Sequence, residues 1–179
     1  MNPNFPETGT FHMYVSGVGG MFAYGDHGPN KFSTNANGLL FWGKQYMRPL
    51  YTLFQRDRAD AMGWPRAVVT NAPRDNAEAM LSAIGLRDRF EVLIIGDECE
   101  RGKPDPAPYR AAMAALGVDA AQSIAFEDSP SGVKAAQAAG ALTIGLRSSL
   151  DDAALRRAGA DASIADFADP TLPGLIARR

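Results

Sequence analysis

From about Gly63 to the end of the 179-residue chain, short apolar runs alternate with segments whose apolar residues recur three and four positions apart. Apolar runs of four or five residues closed by polar ones mark buried parallel strands, and the three-and-four spacing marks helices lying on a sheet. Arg66 to Thr70 (RAVVT) reads as one strand. Pro73 then suits a first helical turn, Ala77, Met80, Leu81 and Ile84 form one stripe, and Gly85 stops the helix. Val92 to Ile95 is the next strand, followed by a polar loop running through Lys103. Asp105 as N-cap and Pro106 as first helical residue open a second helix with the stripe Tyr109, Ala112, Met113 and Leu116, and Gly117 ends it. The unit recurs with Ser123 to Phe126 as strand, Ser129-Pro130 as cap and first turn, a helix through Val133 and Ala136, and Gly140 as stop. Leu142 to Leu146 is a further strand, Ser149 with Asp152 resembles a capping pair for a helix over Ala153 to Ala158, and a last weak strand lies at Ala162 to Ala165.

Strands and helices alternating at these lengths specify an α/β fold: a three-layer, Rossmann-like parallel sheet with helices on both faces, because parallel neighbours need a crossover between them. In such sheets ligands sit beyond the carboxyl ends of the strands. Thr70, the loop before Lys103, and Asp128 therefore fall on one edge of the sheet.

The first part of the chain has another texture. Before about Gln55 it holds Gly17, Gly19, Gly20, Gly25, Gly28, Asn35 and Asn37 among scattered aromatics, with few charges. This composition predicts short strands and loops. We divide the chain at Gly63-Trp64-Pro65, into an atypical segment 1–62, read as a remnant cap or a non-native N-terminus, and a core over 63–179.

Net charge is -2 with both signs interspersed, which gives no footprint for nucleic acid or an anionic membrane and favours a small-molecule partner. No apolar run approaches the ~20 residues of a membrane span, and no secretory pattern opens the chain. The single cysteine, Cys99, has no internal partner for a disulfide and fits a reducing cytoplasm. Composition leaves the oligomeric state open.

Three polar signals at strand ends carry the candidate chemistry. Thr70 and Asn71 stand between a strand and a helix start, where free backbone N–H groups favour a phosphate; the alternative is that they cap the helix. Lys103 ends a polar loop and precedes Pro104. It is either a solvated surface charge or an ammonium aimed into the crevice, where it neutralises transferring phosphoryl oxygens. Glu127 and Asp128 are adjacent acids where a buried strand surfaces. Such a pair repels unless a cation sits between, and magnesium accepts one or two carboxylates with water and substrate oxygens. The alternative for Asp128 is to cap the following helix.

In order and content these segments resemble the haloacid dehalogenase-like hydrolases, in the branch of small phosphatases and beta-phosphoglucomutase. The resemblance lies in AVVTNAPRDNAEAML (Ala67 to Leu81), GDECERGKPDPAPY (Gly96 to Tyr109) and IAFEDSPSGVKAAQAAGALTIGL (Ile124 to Leu146). It implies that Thr70 and Asn71 bind phosphate, that Lys103 is the catalytic lysine and also meets the phosphate, and that Glu127 and Asp128 hold Mg2+. It further implies phosphoryl transfer through a phospho-aspartate, on a small phosphorylated metabolite such as a sugar phosphate.

One part of the family pattern is missing. Its first motif, an apolar strand followed by D-x-D-G-[TV], supplies the nucleophile, yet no D-x-D precedes Thr70. The local stand-in is Met21-Phe22-Ala23-Tyr24-Gly25-Asp26-His27-Gly28, with Asp26 as candidate nucleophile or as a plain turn residue. In the family this strand is central, so its slot must be filled: by Met21 to Tyr24, which we prefer, by His12 to Val15, or by Leu39 to Trp42. Two functional readings follow, a magnesium-dependent phosphatase, or a module that binds phosphate and metal without turnover.

Overall fold

Six strands form one wholly parallel sheet in the order β3-β2-β1-β4-β5-β6. They are β1 (His12–Ser16), β2 (Arg66–Thr70), β3 (Val92–Ile95), β4 (Ser123–Glu127), β5 (Leu142–Leu146) and β6 (Ala162–Ile164). The computed structural model describes residues 12–16, 63–83, 85–148 and 150–177. The connecting helices are α1 (Arg74–Ala83), α2 (Ala107–Leu116), α3 (Pro130–Ala139), α4 (Asp152–Ala158) and α5 (Leu172–Ile176). The expected α/β architecture is thus present.

The central slot belongs to β1. It pairs with β2 through Met13↔Arg66 to Val15↔Val68, and with β4 through His12↔Ser123 to Ser16↔Glu127. This corrects the preference for Met21 to Tyr24, which lies outside the described residues, as does Leu39 to Trp42. The physical reason is fit. The run His12–Ser16 equals β2 and β4 in length and carries Tyr and Val, whereas Met21 to Tyr24 is closely bracketed by glycines and includes Ala, a weaker strand former. With a strand on each side, β1 satisfies the ladder groups that β2 and β4 turn inward.

Side-chain alternation divides the core into two layers. Val68 of β2 and Ile124 and Phe126 of β4 pack with Met80 and Leu81 of α1 and Leu172 and Ile176 of α5. On the other face Ala67, Val69 and Ala125 pack with Tyr109, Ala112 and Met113 of α2 and with Ala135 and Ala136 of α3. The small residues of β4 and α3 on that face let the helices approach the sheet closely.

Helix ends follow the sequence signals with three adjustments. Ser129 caps α3 by accepting from the Gly132 N–H at 3.1 Å, and Gly140 ends it in the left-handed region at φ 90. The helix after Lys103 begins at Ala107, so Asp105 accepts the Ala107 N–H rather than capping one residue earlier. The cap of α4 is Asp151, which accepts from Ala154 N–H at 2.7 Å, and Ser149 lies outside the described residues. Helix α5, five residues including Pro173 and Gly174, carried too short a stripe to be read from periodicity.

Candidate functional site

The alternation along β4 decides where its two acids go. Ile124 and Phe126 face α1, and Ala125 faces α2 and α3. Glu127 follows Ala125 by two and continues on that second face. There its Oε1 accepts from Lys103 Nζ at 2.9 Å and from the Tyr109 hydroxyl. Lys103 Nζ also donates to the Val69 carbonyl at 2.9 Å, and the Lys103 and Glu127 side chains are 4% and 0% exposed. A buried ion pair survives desolvation only when further hydrogen bonds hold it, and Tyr109 and Val69 supply them. Behind the carboxylate stands Gly132 in the first turn of α3. A Cβ there would lie 1.8 Å from Glu127 Oε2, so only glycine fits.

Asp128, one residue on, turns out to the rim and is partly exposed. Ser148 after β5 donates to its Oδ2 across a long 3.4 Å. Burial of the carboxyl raises its pKa to about 6; the neighbouring Glu127 charge adds to the rise, and Lys103 opposes it. Since Lys103 and Glu127 neutralise each other, the Asp128 charge has no full counter-ion among the described residues. It does not cap α3, because Ser129 holds that place.

At the end of β2, Thr70 is fully buried and its Oγ1 accepts from the Ala72 N–H at 3.0 Å, a local turn that leaves the hydroxyl hydrogen to point elsewhere. Asn71 acts on the lysine loop. Its Nδ2 donates to the Lys103 carbonyl and its Oδ1 accepts from the Lys103 N–H. The Asn71 side chain is therefore committed to the backbone of the lysine. Gly96 makes room for it, since a Cβ there would stand 2.1 Å from Asn71 Oδ1. The Lys103-Pro104 peptide is cis. Farther out, Arg74 at the start of α1 pairs with Glu98 beyond β3 at 2.6 Å and links the loops beside the site.

The structure thus brings Thr70, Asn71, Lys103, Glu127 and Asp128 to one edge of the sheet. Asp26 and His27 lie outside the described residues. His12 begins β1 and pairs with Ser123, at the end of the sheet away from this edge. The central strand reaches the edge at Ser16, opposite Glu127, and the sequence holds no acid from there to Asp26. Tyr109 is read from the sequence only as part of a helix stripe, and Gly132 is not singled out by it. The signal that finds them is parity: Glu127 shares the face of Ala125, under the helices that carry both.

Among the described residues no group of three or more His, Cys, Asp or Glu side chains stands together as a metal cage. A rim carboxylate without a full counter-ion among the described residues suits a hard cation that keeps water and takes substrate oxygens. Asp128 fits that role. Cys99 is distant in character, its thiol turned to the Ile95 carbonyl at 3.4 Å and its pKa raised by burial. Among the described residues no helix is long and apolar enough to cross a membrane.

The family model for haloacid dehalogenase-like hydrolases matches residues 34–140, beginning inside the segment whose composition stands apart. The validoxylamine A 7'-phosphate phosphatase of Streptomyces hygroscopicus subsp. limoneus is 43% identical over 109 residues, covering 61% of this chain and 50% of that protein. The phosphoglycolate phosphatase of Rhodospirillum rubrum is 38% identical over 108 residues, covering 60% of this chain and 45% of that protein. The crystal structure of CbbY from Rhodobacter sphaeroides in complex with phosphate is 34% identical with a TM-score of 0.55, covering 62% of this chain and 50% of that one. The chain spans about half the length of the curated relatives it matches.

Proposed function

The chain belongs to the haloacid dehalogenase-like hydrolase family, and from that premise we propose that it is a magnesium-dependent phosphatase acting on a small phosphorylated metabolite, a sugar phosphate by preference. The observation that carries this reading is the Lys103 ammonium, held at the sheet edge by Glu127 and the Val69 carbonyl beside the uncompensated Asp128. A fixed cation next to a carboxylate in need of one is a seat for a phosphoryl dianion and a divalent ion together. Asp128 would hold the ion, Lys103 would offset phosphoryl charge, and Thr70 with the backbone N–H groups that follow β2 would meet phosphate oxygens. Magnesium, when bound, supplies neutralisation of the transferring group and orientation of its oxygens. Two relatives named as phosphatases of phosphorylated small molecules support the substrate class. The lone thiol supports a cytoplasmic setting, and the balanced surface charge supports a small-molecule partner rather than nucleic acid or membrane. Segment 1–62 serves this core by contributing β1, and Asp26 is the attacking acid. The full chain with magnesium is expected to hydrolyse p-nitrophenyl phosphate, and Asp26→Asn to abolish turnover; wild-type rates no higher than buffer would remove the reading.

One observation favours a second reading. The central strand ends at the edge with Ser16, and the sequence that follows it, Gly17-Val18-Gly19-Gly20, holds no carboxylate to serve as nucleophile. On this reading the chain binds phosphate and magnesium without turnover. Phosphate then raises the melting temperature only when magnesium is present, and Lys103→Ala erases the shift. A melting temperature indifferent to both ligands counts against it.

A further inference from the structure

We propose that Glu127 is a positioning residue for the Lys103 ammonium and not a ligand of the metal, and that Tyr109 and Gly132 form the seat that holds it. This inference rests on the phosphoryl-site reading for its functional consequence, but its geometry stands alone. Four observations converge. The parity of β4 sends Glu127 under α2 and α3 while Asp128 turns to the rim. Glu127 Oε1 takes both Lys103 Nζ and the Tyr109 hydroxyl, all three groups being enclosed. Its Oε2 has no hydrogen-bond partner among the described residues and lies against Gly132, with no space for a Cβ between them. Finally, Gly132 sits in the first turn of the ten-residue α3, where the positive end of the helix dipole favours an anionic oxygen that has no direct donor.

The consequence is a division of labour between adjacent acids. A carboxylate fixed from three sides has one orientation, and it transmits that orientation to Lys103, its ion-pair partner among the described residues. The Lys103 ammonium is also 5.6 Å from the centroid of the Tyr109 ring, so one tyrosine touches both members of the pair. Removing the hydroxyl therefore loosens the lysine without touching phosphate, metal or Asp128. Glutamate is needed at 127 for its charge toward Lys103, and glycine at 132 because any side chain expels that carboxylate from its seat.

The test compares wild type, Tyr109→Phe, Glu127→Gln and Gly132→Ala as full chains, with two readouts. The first is acetylation of native protein by acetic anhydride, followed by peptide mass spectrometry, with the exposed Lys134 as internal reference. Lys103 labels at least tenfold more slowly than Lys134 in wild type, and several-fold faster in Tyr109→Phe and Glu127→Gln than in wild type, with Lys134 unchanged. The second is calorimetric titration with magnesium alone and with inorganic phosphate in the presence of magnesium. Tyr109→Phe and Glu127→Gln weaken phosphate about tenfold and leave the magnesium constant within twofold. A tenfold loss of magnesium affinity in Glu127→Gln, or Lys103 labelling unchanged in both variants, overturns the proposal. Wild type that binds neither ligand removes the phosphoryl-site reading, and the labelling experiment then still decides the seat. Should Gly132→Ala fail to fold, Tyr109→Phe, which only loses an oxygen, carries the test.

Discussion

Asn71 grips the Lys103 backbone at both of its polar groups: the carboxamide Nδ2 donates to the Lys103 carbonyl and Oδ1 accepts from the Lys103 N–H, each at 3.2 Å. The two bonds join the end of β2 to the loop that carries the ammonium, across 32 positions of sequence. Glu127 fixes the tip of the lysine and Asn71 its root. Asn71→Ala removes both bonds and is expected to lower the unfolding free energy by about 1–2 kcal/mol. Asn71→Asp keeps an acceptor for the N–H but turns an oxygen toward the Lys103 carbonyl, so its loss is at least as large. Urea denaturation measures both, and an Asp variant as stable as wild type would contradict the clamp.

Gly96→Ala probes the same clamp from the other side. A Cβ at Gly96 would stand 2.1 Å from Asn71 Oδ1 and 3.4 Å from its Cα, so the carboxamide must leave. The expected loss is about 1–3 kcal/mol. In an Asn71→Ala background the obstructed oxygen is already gone, and the same substitution becomes much cheaper. The two changes therefore fail to add in a double-mutant cycle. Additive losses would mean that Gly96 is constrained by something other than Asn71.

Asp128 makes stability depend on pH in an unusual direction for a carboxylate. Burial, with help from the Glu127 charge, raises its folded pKa to about 6, against 3.8 in a free chain. Between those values the folded protein holds a proton that the unfolded chain has released, so the stability this group contributes is present at low pH and lost as pH rises through about 6. Asp128→Asn is always uncharged and loses nothing over that range. In metal-free protein the variant should gain on wild type by about 1–3 kcal/mol between pH 4.5 and 7.5. Denaturation curves for the pair at several pH values give the difference directly, with the other titrating groups cancelling. A difference that stays constant with pH would refute the assignment.

Much of this arrangement could be read from the chain because each strand–helix unit carries its own punctuation. Pro130 after Ser129 and Gly140 after Ala139 bound α3 without reference to any other part of the fold. The candidate residues Thr70 and Asp128 stood out as polar residues at the ends of apolar runs, and Lys103 as the last residue of a polar loop, held by the proline after it. What sequence order did not reveal is which group each side chain faces. Asn71 looked like a phosphate ligand because it follows a strand, yet its partner is the Lys103 backbone, a contact set by the β2 to β3 spacing. Glu127 looked like the twin of Asp128, and only the alternation Ile124, Ala125, Phe126, Glu127 shows that neighbours on a strand face opposite layers. The β1 slot was misjudged because no amphipathic helical stripe follows His12–Ser16 in the sequence to frame it; its place follows from the two partners that need it.

The last expectation concerns how the two ligands communicate. On the proposed function, Asp128 would hold the cation and Lys103 the anion, in one site where each favours the other's charge. Each must then raise the affinity of the other by the same factor, because coupling between two binding equilibria is reciprocal, and factors of about 5–150 are usual. Titrating inorganic phosphate with and without magnesium, and magnesium with and without phosphate, gives the factor twice and checks that the two values agree. Asp128→Asn should abolish magnesium binding and reduce phosphate to its magnesium-free affinity, with Lys103 still in place. Lys103→Ala should have the opposite profile, keeping magnesium and losing phosphate. If phosphate binds equally well with and without magnesium in wild type, the two residues do not serve one site, however near they stand on the sheet edge.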